Sequence, residues 1–193
     1  MRKAPSILGI LRRIALIMLP EPIFYRLLHY ITRQRPRTAR GTAFDRQKIS
    51  PQEDVELWVY WSDVPNVGRG PSASLFVLRE EVLRLDCFGG SEGHMHLNPE
   101  QQRLSGRVGV RLYFQDGSRA EHVDRAAFEL IANTDAALKS NGLSRVRNFP
   151  IDQNTLADAS NQMRHLMQEL LERHPADELA DAHVSSVGIT AQH

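Results

Sequence analysis

The chain has 193 residues, of which 41% are hydrophobic and 24% are charged, and its formal net charge is +1. These fractions are ordinary for a globular protein and exclude intrinsic disorder of the whole chain. The length suits one domain of roughly 100–150 residues with an appendage, and a domain of that size folds without a metal or a disulfide. The single cysteine, Cys87, excludes an internal disulfide and fits a reducing, cytoplasmic compartment.

The charge is divided unevenly along the chain. Residues 1–50 carry eleven Lys/Arg and two Asp/Glu, a balance of +9, whereas residues 51–193 carry 13 Lys/Arg and 21 Asp/Glu, a balance of −8. Phosphate binding needs a basic surface, so the body of the chain is not expected to bind nucleic acid.

Residues 1–40 contain two short basic stretches in which apolar residues recur at helical spacing among arginines. The uninterrupted apolar run, residues 14–19, is too short for a spanning helix or a secretory signal. This segment is expected to pack on the body or on a second copy in a homodimer, to bind a protein partner, to lie peripherally on an anionic membrane surface, or to act in targeting. Residues 34–50 lack periodicity and predict a linker.

The body, residues 51–175, begins with segments rich in β-branched and aromatic residues. Strands are predicted over residues 55–61, 74–78, 82–88 and 107–114. Prolines and glycines predict a loop over residues 63–71, and residues 79–81 predict a tight turn. In the third predicted strand Leu83, Leu85 and Cys87 share one phase, and Arg84 and Asp86 share the other. That alternation predicts one buried face and one solvated face.

Helical periodicity replaces the strand pattern after Gly117. One helix is predicted over residues 124–139 with Asp124 as its N-cap, and another over residues 153–173 with Asp152 as its N-cap. Residues 176–193 are predicted to be a mobile tail. Strands followed by helices predict an α+β fold: a mainly antiparallel sheet of about four strands, then two C-terminal helices on one face, preceded by the basic helical N-terminal segment.

Residues 86–96 are the segment where chemistry is expected. In an extended chain His94 and His96 project from the same side, and two imidazoles on one side are a common start of a Zn, Cu or Fe site. The candidates for a third ligand are Cys87, Asp86, Glu92 and Glu100. Cys87 is favoured because thiolate binds such metals well, so the sequence predicts a divalent transition metal on His94, His96 and Cys87. Two alternatives stay open: a purely structural segment, because Cys87 lies in phase with Leu83 and Leu85, and a metal-free polar binding surface.

The segment Asp86-Cys-Phe-Gly89, followed by Gly93-His-Met-His96, resembles a family of small uncharacterised bacterial domains. The resemblance covers residues 57–171 and implies a fold unit, with no reaction attached to it. Two hypotheses follow from the sequence. The first is a non-enzymatic interaction or ligand-binding module that docks through its basic N-terminal segment. The second is a metal-binding protein or metal-dependent enzyme, a hydrolase or an oxidoreductase, that uses the His-x-His pair.

Overall fold

The structure is a computed structural model, and it describes residues 42–104 and 110–175. The predictions for residues 1–40 and for the tail over residues 176–193 lie outside these described residues. None of the described helices combines the length and the hydrophobicity that crossing a bilayer requires.

Six strands of the described chain form one antiparallel sheet, in which each strand pairs with its neighbours in sequence. They are β1 Thr42–Gln52, β2 Val55–Val64, β3 Gly68–Val77, β4 Glu80–Asp86, β5 His94–Leu97 and β6 Leu112–Tyr113. The turn between β3 and β4 places Leu78 and Arg79 at φ angles of 51° and 68°. Two consecutive positive φ angles are typical of a two-residue hairpin turn, which keeps the paired strands adjacent.

The helices of the described chain are α1 Pro99–Leu104, α2 Arg119–Lys139, α3 Ser144–Arg147 and α4 Gln153–Arg173. A reciprocal capping box between Ser118 and Glu121 starts α2. The Asp152 side chain accepts hydrogen bonds from two backbone N–H groups at the start of α4. The two long helices pack on one face of the sheet, α4 against β1 to β3 and α2 against β3 and β4.

The hydrophobic core lies between that face and the two long helices. Alternate residues of the strands point into it because side chains of a strand alternate between the two faces. Its largest fully buried apolar members are Leu57, Trp61, Leu75, Leu83, Leu85, Leu130, Leu156, Met163, Met167 and Leu170. Burying a side chain of this size contributes about 2 kcal/mol, so this layer provides the main hydrophobic stabilisation of the fold.

The predicted α+β class, the antiparallel sheet and the two helices on one face are confirmed, and α4 has the predicted bounds. The prediction of about four strands is too low. The linker predicted over residues 34–50 is wrong from Thr42 onward, where β1 begins. β1 is an edge strand with irregular pairing to β2 at two places, and such irregularities erase the alternation by which a strand is recognised.

Two further boundaries differ from the predictions. The loop predicted over residues 63–71 is confined to residues 65–67, since β2 continues to Val64 and β3 begins at Gly68. A Cβ at Gly70 would lie 2.4 Å from the Cys87 carbonyl oxygen, so this glycine serves close packing within the sheet. Helix α2 begins at Arg119 because its cap is Ser118, and the predicted cap Asp124 lies inside the helix.

The second face of the sheet, predicted to be solvated, is largely buried. Tyr60, Ser72 and Ser74 have no accessible surface, and Asp86 and His94 retain only 3% and 2%. Polar groups removed from water need partners, because an unsatisfied one costs free energy. This buried polar face is where the candidate site lies.

Candidate metal centre

The pairing of β4 with β5 brings the site together. Asp86 lies directly opposite His94, and Arg84 lies directly opposite His96. Directly opposed residues of antiparallel strands share one face of the sheet, as do residues two apart on one strand. Asp86, His94 and His96 therefore converge on the polar face, opposite the two long helices α2 and α4.

Three atoms of these residues form a compact triangle. The two Nε2 atoms, of His94 and His96, are 3.1 Å apart. Oδ2 of Asp86 lies 3.5 Å from Nε2 of His94 and 3.8 Å from Nε2 of His96. Within the described residues these three side chains form a group whose potential ligand atoms all lie within 4.8 Å of one another.

Backbone carbonyls determine which ring nitrogens carry hydrogen. Nδ1 of His94 lies 2.6 Å from the Glu92 carbonyl oxygen, and Nδ1 of His96 lies 3.2 Å from that of Val110. A carbonyl oxygen only accepts, so both Nδ1 atoms donate and each neutral ring carries its lone pair on Nε2. Two lone pairs then face each other across 3.1 Å, beside a carboxylate oxygen. This arrangement is repulsive unless a cation or a proton lies between them.

Burial changes the pKa of the His96 ring. Desolvation lowers the pKa of His96 to about 4; the charge of Asp86 opposes this, and positive charge on His94, Arg84 and Arg111 lowers the pKa further. At neutral pH His96 is therefore neutral, which is the form that binds metal ions.

The carboxylate of Asp86 is held from its other side. The Ser72 hydroxyl donates a hydrogen bond of 2.8 Å to Oδ1, and Oδ2 is the oxygen nearer to both imidazoles. Ser72 lies opposite Asp86 on the neighbouring strand β3. Partners of this kind orient a metal-binding carboxylate and are part of most metal sites.

A second group of buried polar side chains lies beside Asp86, His94 and His96. Glu81 accepts from the Ser74 hydroxyl at 2.8 Å and forms two hydrogen bonds, of 2.8 and 2.7 Å, with the Arg84 guanidinium. The Tyr60 hydroxyl lies 3.0 Å from Ser74. Desolvation raises the pKa of the Tyr60 phenol well above its ordinary value. Glu81 compensates the charge of Arg84 next to the site, so Asp86 contributes the remaining negative charge there.

The structure brings His94 and His96 together, and it does not bring Cys87 to them. Cys87 follows Asp86 directly and points to the opposite face, where it is fully buried in the hydrophobic core and its thiol donates to the His122 carbonyl oxygen at 3.3 Å. Glu92 is exposed, and the Glu100 side chain lies outside the described residues.

The structure therefore separates Cys87, the favoured third ligand, from the two histidines and places its neighbour Asp86 beside them. The phase of Cys87 with Leu83 and Leu85 already indicated the core, and the same alternation places Asp86 on the face of the histidines. Ser72 carried no sequence signal, because its role depends on which strand pairs with β4.

No family model matches the chain, and the comparisons with curated proteins and with solved structures also found no match. The resemblance of residues 57–171 to a family of bacterial domains therefore stays a prediction.

Proposed function

We propose that this protein binds a divalent transition-metal ion, Zn(II) above all, through Asp86, His94 and His96. The observation that carries the proposal is that the two Nε2 atoms lie 3.1 Å apart, with Oδ2 of Asp86 3.5 and 3.8 Å from them. A cation between these atoms turns a repulsive contact into three favourable ones. Imidazole nitrogen and carboxylate oxygen are both ordinary zinc ligands.

The size of the triangle supports zinc. A circle through the three atoms has a radius of about 2.0 Å, so an ion fits at about 2.1 Å from each of them, the usual zinc distance. The angles at such an ion range from about 95° to about 130°, which is closer to the tetrahedral geometry of zinc than to the right angles of an octahedral site. A non-haem Fe(II) site, which also uses two histidines and one carboxylate, fits these separations less well.

Three protein ligands leave a fourth position of a tetrahedral ion free. Structural zinc sites have four protein ligands, whereas catalytic sites have three and keep the last position for water or substrate. With one carboxylate and two neutral imidazoles, a bound divalent ion retains a net charge of +1, which favours water, hydroxide or a small anion there. Zinc lowers the pKa of such a water to about 7, so hydrolysis is the reaction class that this centre supports.

The first prediction is that the full-length, chelator-treated protein binds one Zn(II) per chain in isothermal titration calorimetry. Asp86→Asn, His94→Ala and His96→Ala are each expected to weaken binding at least tenfold, because each removes one of three ligands. Co(II) in place of zinc is expected to give the intense visible absorption of a tetrahedral ion.

His165→Ala is the matched control, because the His165 side chain lies on α4, is 75% exposed and takes no part in the triangle. Wild-type affinity is expected for it. Less than about 0.1 ion per chain after growth in zinc-replete medium, together with no heat of binding, contradicts the proposal. A proton shared between the two imidazoles is then the explanation of their contact. Equal affinity of a His94→Ala/His96→Ala double variant and the wild type contradicts it as well.

A second proposal concerns residues 1–40 and rests on sequence alone. We infer from the nine Lys/Arg and the single Glu of residues 1–40, a balance of +8, that this segment docks to an anionic membrane surface or to an acidic protein partner. The two proposals are compatible, since they involve different parts of the chain.

A further inference from the structure

The buried imidazole of His122, on α2, lies under the loop that joins β4 to β5. The residue is 2% exposed, and both of its ring nitrogens have hydrogen-bond partners. The backbone N–H of Gly89 donates to Nδ1 at 3.2 Å, and Nε2 lies 3.0 Å from the Gln115 carbonyl oxygen. A backbone N–H only donates and a carbonyl oxygen only accepts, so the ring is neutral and carries its hydrogen on Nε2.

The same ring packs against the other end of the loop. A Cβ added to Gly93 would lie 2.0 Å from Nδ1 of His122, so the backbone of Gly93 rests directly on the imidazole. The Gly93 carbonyl oxygen accepts from the Phe114 N–H at 2.8 Å, and the Phe114 ring meets the His122 ring edge-on at 5.4 Å between centroids. His122 thus contacts both ends of the segment from Gly89 to Gly93.

That segment determines the orientation of one member of the triangle. Glu92 lies within it, and its carbonyl oxygen accepts from Nδ1 of His94 at 2.6 Å. This hydrogen bond assigns the hydrogen of the His94 ring to Nδ1 and turns Nε2 toward Asp86 and His96. The position of the Glu92 carbonyl depends on the loop, and the loop rests on His122.

We propose that His122 is a positioning residue of the metal centre and acts through the loop over residues 89–93 on His94. This inference rests on the proposed metal binding. His122 is not itself a ligand, because both of its ring nitrogens are engaged by backbone groups. Residues that hydrogen-bond directly to a metal-binding histidine change metal affinity about 10- to 100-fold when they are replaced, and His122 acts one step further away, through the loop.

The test is the Zn(II) dissociation constant of the full-length protein, measured by competition with a chromophoric chelator. His122→Ala is expected to weaken binding about tenfold, the lower end of the range for direct partners of a ligand, and to alter the visible spectrum of the Co(II) form. His122→Asn is expected to recover part of the affinity, because its amide oxygen can accept from the Gly89 N–H at the place of Nδ1. If His122→Ala fails to fold, His122→Asn and His122→Gln provide the comparison. The Asn amide lies near the position of Nδ1, and the longer Gln side chain places its amide near that of Nε2.

Leu156→Ala is the control for a merely structural effect. Leu156 is fully buried, lies at the start of α4 and belongs to the hydrophobic core. Its truncation is expected to cost about 2–5 kcal/mol of stability while leaving the dissociation constant unchanged.

The outcomes distinguish a failure of the positioning role of His122 from a failure of the proposed metal binding. If the wild type binds Zn(II) and all His122 variants bind within twofold of it, the positioning role is overturned and the metal site stands. Equal losses of affinity in Leu156→Ala and the His122 variants also overturn the positioning role. If the wild type binds no metal, the proposed function fails and this inference fails with it.

Discussion

Asp86, the last residue of β4, and Cys87, which follows it directly, have opposite surroundings. The carboxylate lies on the polar face, between the Ser72 hydroxyl and two imidazoles, and the thiol lies in the core against α2. Burial, with the negative charge of Asp86 adding to it, raises the pKa of Cys87 well above its ordinary value. The thiol is therefore protonated at neutral pH and is a poor nucleophile, and its position in the core separates it from the two imidazoles.

This arrangement predicts that Cys87 does not react with a thiol reagent such as dithionitrobenzoate in the native protein at pH 8, and that it reacts fully in guanidinium. Cys87→Ala is expected to keep the Zn(II) dissociation constant within twofold of the wild type and to lose about 1 kcal/mol of stability through the small cavity it leaves. The native labelling rate and a zinc titration check these outcomes. If Cys87 instead reacts rapidly with the reagent in the native protein, and zinc suppresses that reaction, the thiol lies at the metal.

At the scale of elements, the polar face consists of two neighbouring rows that cross the strands. One row runs from Tyr60 through Ser72 and Asp86 to His94, and the other contains Ser74, Arg84 and His96. The rows exist because every strand from β2 to β5 pairs antiparallel and in register along them. Glu81 joins the second row as the partner of Arg84. Burial lowers the pKa of the Arg84 guanidinium, but the attractions to Glu81, Tyr60 and Asp86 and the hydrogen bonding to Glu81 together exceed this effect, so the net pKa is raised.

Glu81→Gln is expected to reduce the free energy of unfolding by about 3 kcal/mol, because it leaves the Arg84 charge buried without its compensating carboxylate. Glu169→Gln is the matched control. Glu169 pairs with Arg173 on the surface of α4, with side chains 36% and 47% exposed. Such pairs contribute at most about 1 kcal/mol. Urea unfolding curves of both variants test the difference, and equal losses would mean that the Glu81–Arg84 pair stabilises no more than a surface pair.

At the scale of the whole molecule, the charge changes sign along the chain. Residues 1–50 have a balance of +9 and residues 51–193 one of −8, and different partners are therefore proposed for the two parts. The candidate metal centre belongs to the acidic part, where a buried carboxylate favours a cation. The proposed docking surface belongs to the basic part, where arginines among apolar residues suit anionic headgroups.

The full-length protein is accordingly expected to co-sediment with phosphatidylserine-containing vesicles at low salt and to be released as salt is added, since the screening length falls from about 10 Å at 0.1 M to about 3 Å at 1 M. Arg12→Glu with Arg13→Glu is expected to weaken this binding severalfold. Arg164→Glu, on the half-exposed surface of α4, is the control and should leave it unchanged. Binding that ignores salt, or that is equal on neutral vesicles, argues against electrostatic docking. A salt-sensitive dimer without vesicle binding favours the second copy as the partner.

Local periodicity in the sequence determined the features that depend on a few neighbouring residues. These are the α+β class, the bounds of α4 with its Asp152 cap, and the convergence of His94 and His96 on one side of a strand. Helical and strand periods arise within a single element, so they can be read without knowing what that element packs against.

Tertiary structure alone decided which residue joins the two histidines, because the pairing of β4 with β5 sets Asp86 opposite His94. It also decided that the polar face is buried, that residues 42–52 form an edge strand, and that His122 supports the loop from another element. Cross-strand register depends on the turns and irregularities along both strands, and burial depends on chain segments far away in sequence. Neither the register nor the burial produces a periodic pattern in the sequence of the residues concerned.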